Sequence, residues 1–243
     1  MEVYPVSSAL DKYLGGGVVK DGILLIAYDQ FSNGWELGMR IFDKILQQGV
    51  KGIFFNVSTP LRRSLYRMKF AEVDLEKYMR KSRLAVLDLY ASKYNLPELN
   101  EHVYIIRPCS PESFPMKFRE VKRKIAQNLK VENIKEKGEV GLVETLDSFY
   151  HEFGEDHAKW LVNGLLAASE RGKLNVLGIF LLDMNNVPGE FFNYVYHIAD
   201  QVIIIESELI KVMSKFKRRV FFAKSLLKGF EPKMVPYEEI KII

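Results

Sequence analysis

Along the chain, short runs of consecutive apolar residues alternate with longer segments in which apolar residues recur every third or fourth position. The short runs predict strands over Ile23–Ala27, Ile53–Val57, Ala85–Leu89, Val103–Ile106, Gly141–Thr145, Val176–Leu182 and Gln201–Glu206. Between the first two, Trp35, Met39, Phe42 and Leu46 share one face of a helix that stops near Gln48 and Gly49. The same spacing predicts helices over Leu61–Lys69, Asp74–Lys81, Phe114–Leu129, Glu155–Arg171 and Gly189–His197. After Glu206 the rhythm changes. Ile210–Met213 and Arg218–Lys224 read as a hairpin turning at Lys215–Lys217, and Ile240–Ile243 as a last strand.

Strands that are apolar throughout, separated by helices, predict an α/β protein with a mostly parallel sheet covered on both faces. Right-handed crossovers turn that into a three-layer sandwich, here with a C-terminal antiparallel hairpin. No Pro/Gly/Ser-rich linker interrupts the pattern, so one domain over residues 1–243 is expected.

Composition adds exclusions. No apolar run approaches the ~20 residues of a membrane-spanning helix, and the N-terminus lacks the basic and apolar regions of a signal peptide. With a single cysteine, Cys109, no intrachain disulfide can form, which suits a cytoplasmic location. The net charge is +4, with basic runs at Arg62, Arg63 and Arg67, at Lys117–Lys124 and at Lys211–Arg219. These are either solvated helix faces or a patch for nucleic acid.

One stretch is more specific. Leu10, Asp11, Leu14, Gly15, Gly16, Gly17 and Gly22 precede the first long strand, and Gly49, Lys51, Gly52 and Ile53 enter the second. Farther on stand RLAVLDLYAS, HIADQVIIIE and FFAKSLLKGF. In their order these segments resemble KaiC-like proteins of the RecA superfamily, in particular archaeal KaiC-related proteins. The resemblance covers nearly the whole chain. It implies a RecA-like, P-loop-NTPase-type core and tells where a nucleotide would lie.

At those positions the chemistry departs from the family's. A P-loop, G-x-x-x-x-G-K-[ST], wraps backbone N–H groups around phosphates, with a Lys on the β/γ-phosphates and a hydroxyl on Mg²⁺. Here Tyr28 takes the first Gly, Asn33 the second, Gly34 replaces the Lys and Trp35 the Ser/Thr. Asp29 is expected to set a negative charge where a triphosphate would lie, and Tyr28, Phe31 and Trp35 are expected to plug the phosphate cavity, or else to form an aromatic platform. Ser58 and Thr59 occupy the places of the family's acidic pair. Glu144 stands at the Walker B Asp, Thr145 at the following Ser, and Lys224 at the Lys that reaches a neighbour's nucleotide.

The resemblance therefore implies a RecA/KaiC-like chain without ATPase catalysis, with neither ATP nor Mg²⁺ as cofactor. A scaffolding or regulatory role with a protein partner is expected, as a monomer or homodimer rather than a hexamer. The alternatives are a nucleic-acid-binding module and a nucleotide binder or weak ATPase using a non-standard loop. Two further clusters remain. Glu144, Asp147, His151, Glu152, Glu155, Asp156 and His157 crowd the end of a predicted strand, as a metal-dependent site or an acidic loop. Cys109 follows Pro108, as a nucleophile or a small apolar residue.

Overall fold

The computed structural model describes residues 1–107, 109–129, 138–170, 175–210 and 215–240. A small antiparallel pair, β1 (Val3–Tyr4) with β2 (Val18–Val19), brackets helix α1 (Ser8–Leu14). The main sheet has nine strands among the described residues: β3 (Gly22–Tyr28), β4 (Lys51–Asn56), β5 (Leu84–Asp88), β6 (Val103–Tyr104), β7 (Glu139–Val143), β8 (Val176–Asp183), β9 (Gln201–Ile210), β10 (Lys215–Ser225) and β11 (Lys233–Pro236). Their order is β11-β10-β9-β3-β8-β7-β4-β5-β6. From β9 to β6 every pairing is parallel, whereas β10 and β11 add antiparallel strands at one edge.

The helices divide by face. On one side lie α2 (Gly34–Gln47), α3 (Leu61–Phe70) and the single turn α4 (Glu76–Met79), packed on Leu24, Ile26, Phe54, Val86, Leu142 and Ile179. On the other lie α6 (Phe114–Asn128), α7 (Leu146–Phe153), α8 (Glu155–Glu170) and α9 (Gly189–Ile198), packed on Leu25, Phe55, Leu87, Val143 and Phe180. Alternate strand residues feed the two cores, as the period of two demands. All seven residues of β3 are buried, as befits a central strand covered on both sides. Its entry is tight. A Cβ at Gly22 would stand 2.3 Å from the Asp200 carboxylate, which accepts the Ile23 N–H at 2.7 Å.

The α/β sandwich with a terminal antiparallel hairpin is the architecture expected. Several local readings are corrected. β9 runs unbroken from Gln201 to Ile210, and Lys215–Lys217 belong to β10 rather than to a turn. Cross-strand charge produced the misreading: Glu208 pairs with Arg219 at 2.9 Å on an exposed face, so the strand lacks an apolar run. Residues 211–214, part of the expected hairpin, lie outside the described residues. Ile240 closes a 3-10 turn (Tyr237–Ile240) instead of opening a strand, the edge strand being β11, and 241–243 are not described. The expected loop after Glu144 is the helix α7. Between β5 and β6 the short helix α5 (Leu89–Lys93) starts with the Asp88 side chain accepting the Ala91 N–H at 2.9 Å.

Candidate functional site

Open α/β sheets present ligands at the carboxyl ends of their strands. Here those ends carry polar side chains on otherwise apolar strands. Tyr28 ends β3, Asp183 β8 and Asn56 β4, Asp88 ends β5, and Glu144 follows β7. The register sets Tyr28 beside Asp183 and Asn56 beside Asp88, while the Glu144 N–H donates to the Phe55 carbonyl at 3.1 Å.

The loop from β3 to α2 is closed on itself. Asp29 turns its carboxylate toward β9, where it accepts from the Ser207 N–H at 2.5 Å and from the Ser207 hydroxyl at 2.8 Å. It does not project into a phosphate cavity, which corrects the expectation. The Phe31 N–H donates to Asp29 Oδ1 at 2.9 Å and the Ser32 N–H to the Asp29 carbonyl at 3.2 Å. Two amides that a P-loop would turn to phosphate are thus used internally. Exposed Asn33 takes a left-handed conformation, φ 53°, to enter α2.

The aromatic residues separate. Tyr28 is buried under the first turn of α2, and a Cβ at Gly34 would meet the Tyr28 Cβ at 2.3 Å. Trp35 is half-buried, with the Arg67 guanidinium 4.0 Å above its ring. Phe31 is exposed and plugs nothing, so the plug reduces to Tyr28 and Trp35.

Glu144 anchors a second network that reaches β5. Asn56 donates from Nδ2 to Asp88 Oδ1 at 2.9 Å and to the Thr59 carbonyl at 2.8 Å, which leaves its Oδ1 as acceptor. Ser64 must then give its only proton to Asn56 Oδ1, 2.6 Å away. Glu144 Oε1 lies 3.3 Å from the same hydroxyl, a second and longer acceptor for it. Burial pushes the Glu144 carboxyl up to about 7, against the opposing Arg67 charge and the Ser64 hydrogen bond. Glu144 Oε2 and Thr145 Oγ1 are buried without a hydrogen-bond partner. Burial likewise raises Asp88, Asp147 and Asp183, and Asp147 Oδ1 accepts the Asp183 N–H at 3.1 Å. With its carboxyl raised to about 7, Glu144 is only partly ionised at neutral pH.

Of the residues singled out in the sequence, Tyr28, Gly34, Trp35 and Glu144 gather at one end of the sheet. Lys224 does not. It pairs with Val202 at the start of β9, at the opposite end, and its Nζ donates to the His197 carbonyl at 2.7 Å, capping α9. The acidic and histidine residues after Glu144 also disperse. His151 Nε2 bonds the Asn186 carbonyl at 2.6 Å, Glu152 pairs with Lys93, and Glu155 pairs with Lys159 at 2.6 Å. Among the described residues no group of three or more His, Cys, Asp or Glu could hold a metal ion. Burial pushes the Cys109 thiol up to about 11, which suppresses its thiolate. The basic runs on α3 and α6 lie on opposite faces of the sheet and form no common patch. Ser64, Asn56, Asp88 and Asp183 were missed in the sequence. For Asn56, Asp88 and Asp183 the signal was a polar residue closing an apolar strand, as in IFFN, AVLD and FLLD, whereas Ser64, inside α3, carried none.

The fold is that of the KaiC-like proteins, a mostly parallel α/β sandwich of RecA type with an antiparallel C-terminal edge. Among solved structures, the KaiC-like protein PH0186 from Pyrococcus horikoshii OT3 is similar with a TM-score of 0.66 and 16% identity, over 97% of this chain and 93% of that one. The uncharacterized protein PH0321 from Pyrococcus horikoshii, in complex with an unknown peptide, is similar with a TM-score of 0.72 and 20% identity, over 93% of this chain and 96% of that one. No protein-family model and no curated protein matches the chain. Among the described residues no helix is long and apolar enough to cross a membrane.

Proposed function

We propose that the chain is one RecA/KaiC-like domain over residues 1–243 that has given up nucleotide chemistry and acts in the cytoplasm as a scaffold or regulator docking a protein partner. The observation that carries this reading is the rebuilt β3–α2 loop. Tyr28 fills the space under α2, and Asp29 is held by Ser207. Neither ATP nor Mg²⁺ is required, because losing even one stabiliser of transition-state charge costs about 10²–10³ in rate, and here the P-loop Lys, the hydroxyl and the acidic pair are all replaced. Lys224 is bonded inside the chain, which supports a monomer or homodimer over a ring that shares nucleotide between neighbours.

Docking of a protein is supported by α3, where Tyr66 and Phe70 are 64% and 72% exposed beside Arg63 and Arg67. Aromatic and arginine side chains carry most binding energy at interfaces. PH0321, of the same fold, was solved with a peptide bound. The test is thermal melting with ATP, ADP and GTP, each with Mg²⁺. Bound nucleotide at a hundredfold excess over Kd would add about 2.7 kcal/mol. No shift is expected. A shift that disappears in Glu144→Gln would overturn the reading.

A further inference from the structure

On the sheet face away from Glu144, a slot of about 430 Å³ opens between α6 and α8. Its floor is Ile53, Phe55, Gly141 and Val143, and its end wall is aromatic: Phe118 stacks on Phe55 at 5.9 Å and meets the Trp160 ring edge-on at 5.7 Å. Two glycines make the space. Along α8 the slot is lined by Trp160, Leu161, Asn163, Gly164, Leu165 and Ala167, of which Trp160, Gly164 and Ala167 form one helical stripe that falls from large to small. Among the described residues nothing lies within 4 Å of a Cβ built at Gly164, and at Gly141 only Phe55 comes as near as 3.7 Å. Among the other described glycines within helices and strands of the layers, Gly189, the first residue of α9, is likewise open, whereas the rest are filled. Leu181 reaches to 2.2 Å of a Cβ at Gly38, Leu46 to 2.7 Å at Gly52 and Leu165 to 2.5 Å at Gly178. A glycine inside a helix costs about 1 kcal/mol against alanine, and an unfilled apolar space forfeits further stability. The chain bears both costs at one place.

The mouth of the slot is cationic. Arg119 and Lys122 line it, and with Arg123 they border a shallow hollow continuing outward along α6. Among the described residues Lys122 alone of the three is paired, at 3.8 Å with Glu139, so positive charge prevails there. The volume falls in the range of small-molecule pockets, which are apolar with a few placed polar groups. We propose that this slot binds a small anionic amphiphile, a medium-chain or aryl carboxylate, with its apolar body over Gly141 and Gly164 and its anionic head at Arg119, Lys122 and Arg123.

The experiment titrates the full chain with 1-anilinonaphthalene-8-sulfonate, an anionic aryl probe, and displaces it with decanoate. One saturable site is expected, cleared by decanoate. Because only two tryptophans exist, Trp35→Phe leaves Trp160 as sole donor, and energy transfer from it to the probe places the site. Gly164→Phe should abolish probe binding while the melting temperature holds or rises, since the new ring enters open space. Arg119→Glu with Arg123→Glu, both on the surface, should weaken the anionic probe about tenfold but leave uncharged N-phenyl-1-naphthylamine within about twofold. The proposal is overturned by absence of saturable binding, by binding that survives Gly164→Phe, or by a charge-reversed protein that holds both probes equally.

Discussion

Tyr28 and Gly34 fit each other as a pair: the ring of the first lies where any side chain on the second would have to pass, with a Cβ at 34 only 2.3 Å from the Tyr28 Cβ. The two positions that a P-loop would fill with Gly and Lys thus carry the bulk on the opposite partner. A side chain at position 34 is therefore costly as long as Tyr28 is present. Helix propensity alone would make Gly34→Ala favourable by up to about 1 kcal/mol. Overpacking of the buried ring costs about 1–3 kcal/mol, so the substitution should destabilise. Tyr28→Gly should destabilise by its own cavity, yet adding Gly34→Ala to that background should be neutral or favourable. Urea denaturation of the four proteins measures the coupling. Additive single effects would contradict the pairing.

Asp29 and Ser207 join the loop to β9 through bonds from both the amide and the hydroxyl. Hydrogen bonds to a charged acceptor contribute about 1.5–3 kcal/mol when well made. Asp29→Ala should therefore lower unfolding stability by about 1–3 kcal/mol, and Ser207→Ala by less, since its amide still donates. In the double variant the losses should not add, because both act on the same bond. Full additivity in denaturant titrations would show that Asp29 acts elsewhere.

How much of this was legible in the sequence depends on which force set each feature. The parallel core was readable because burial on both faces makes β3, β4, β5 and β8 continuously apolar. The far half of β9 was not, because Glu206 and Glu208 lie across from Arg219 and Lys217 and the stabilising contacts are cross-strand charges. Tyr28, Gly34 and Glu144 were found through the places where a phosphate site should be. Which way Asp29 points was unreadable, since Ser207 is 178 residues away in sequence. The same holds for Lys224, whose partner carbonyl on α9 is fixed only by the edge of the sheet. The slot at Gly141 and Gly164 gave no local sign, because a glycine looks the same whether a neighbour fills its space or not.

Glu144 makes stability depend on pH in an unusual direction. Its carboxyl is raised from an ordinary 4.5 to about 7 by burial, so in between the folded state holds a proton that the unfolded state has released. Stability from this group is full below about pH 4.5 and is lost as pH rises through 7. The loss is of order 3 kcal/mol. Glu144→Gln, which mimics the neutral acid, should match the wild type near pH 5 and exceed it at pH 8. Melting curves from pH 5 to pH 8 decide this. Parallel curves for the two proteins would mean that Glu144 is ionised throughout.

Arg67 opposes that effect while lying over Trp35 at 4.0 Å. The two roles separate in Arg67→Met, which keeps an apolar stem over the indole but removes the charge. If the guanidinium steadies ionised Glu144, its removal must raise the Glu144 titration further. The stability deficit of the variant should then grow as pH climbs from 5 to 8. Arg67 is solvent-exposed, so screening keeps the extra deficit to about 0.5–1 kcal/mol. In Glu144→Gln the pH dependence of that deficit should vanish, because no carboxylate remains to be steadied. Melting of the two single variants and the double variant at pH 5 and pH 8 gives the answer. A deficit of equal size at both pH values would assign Arg67 to packing on Trp35 alone.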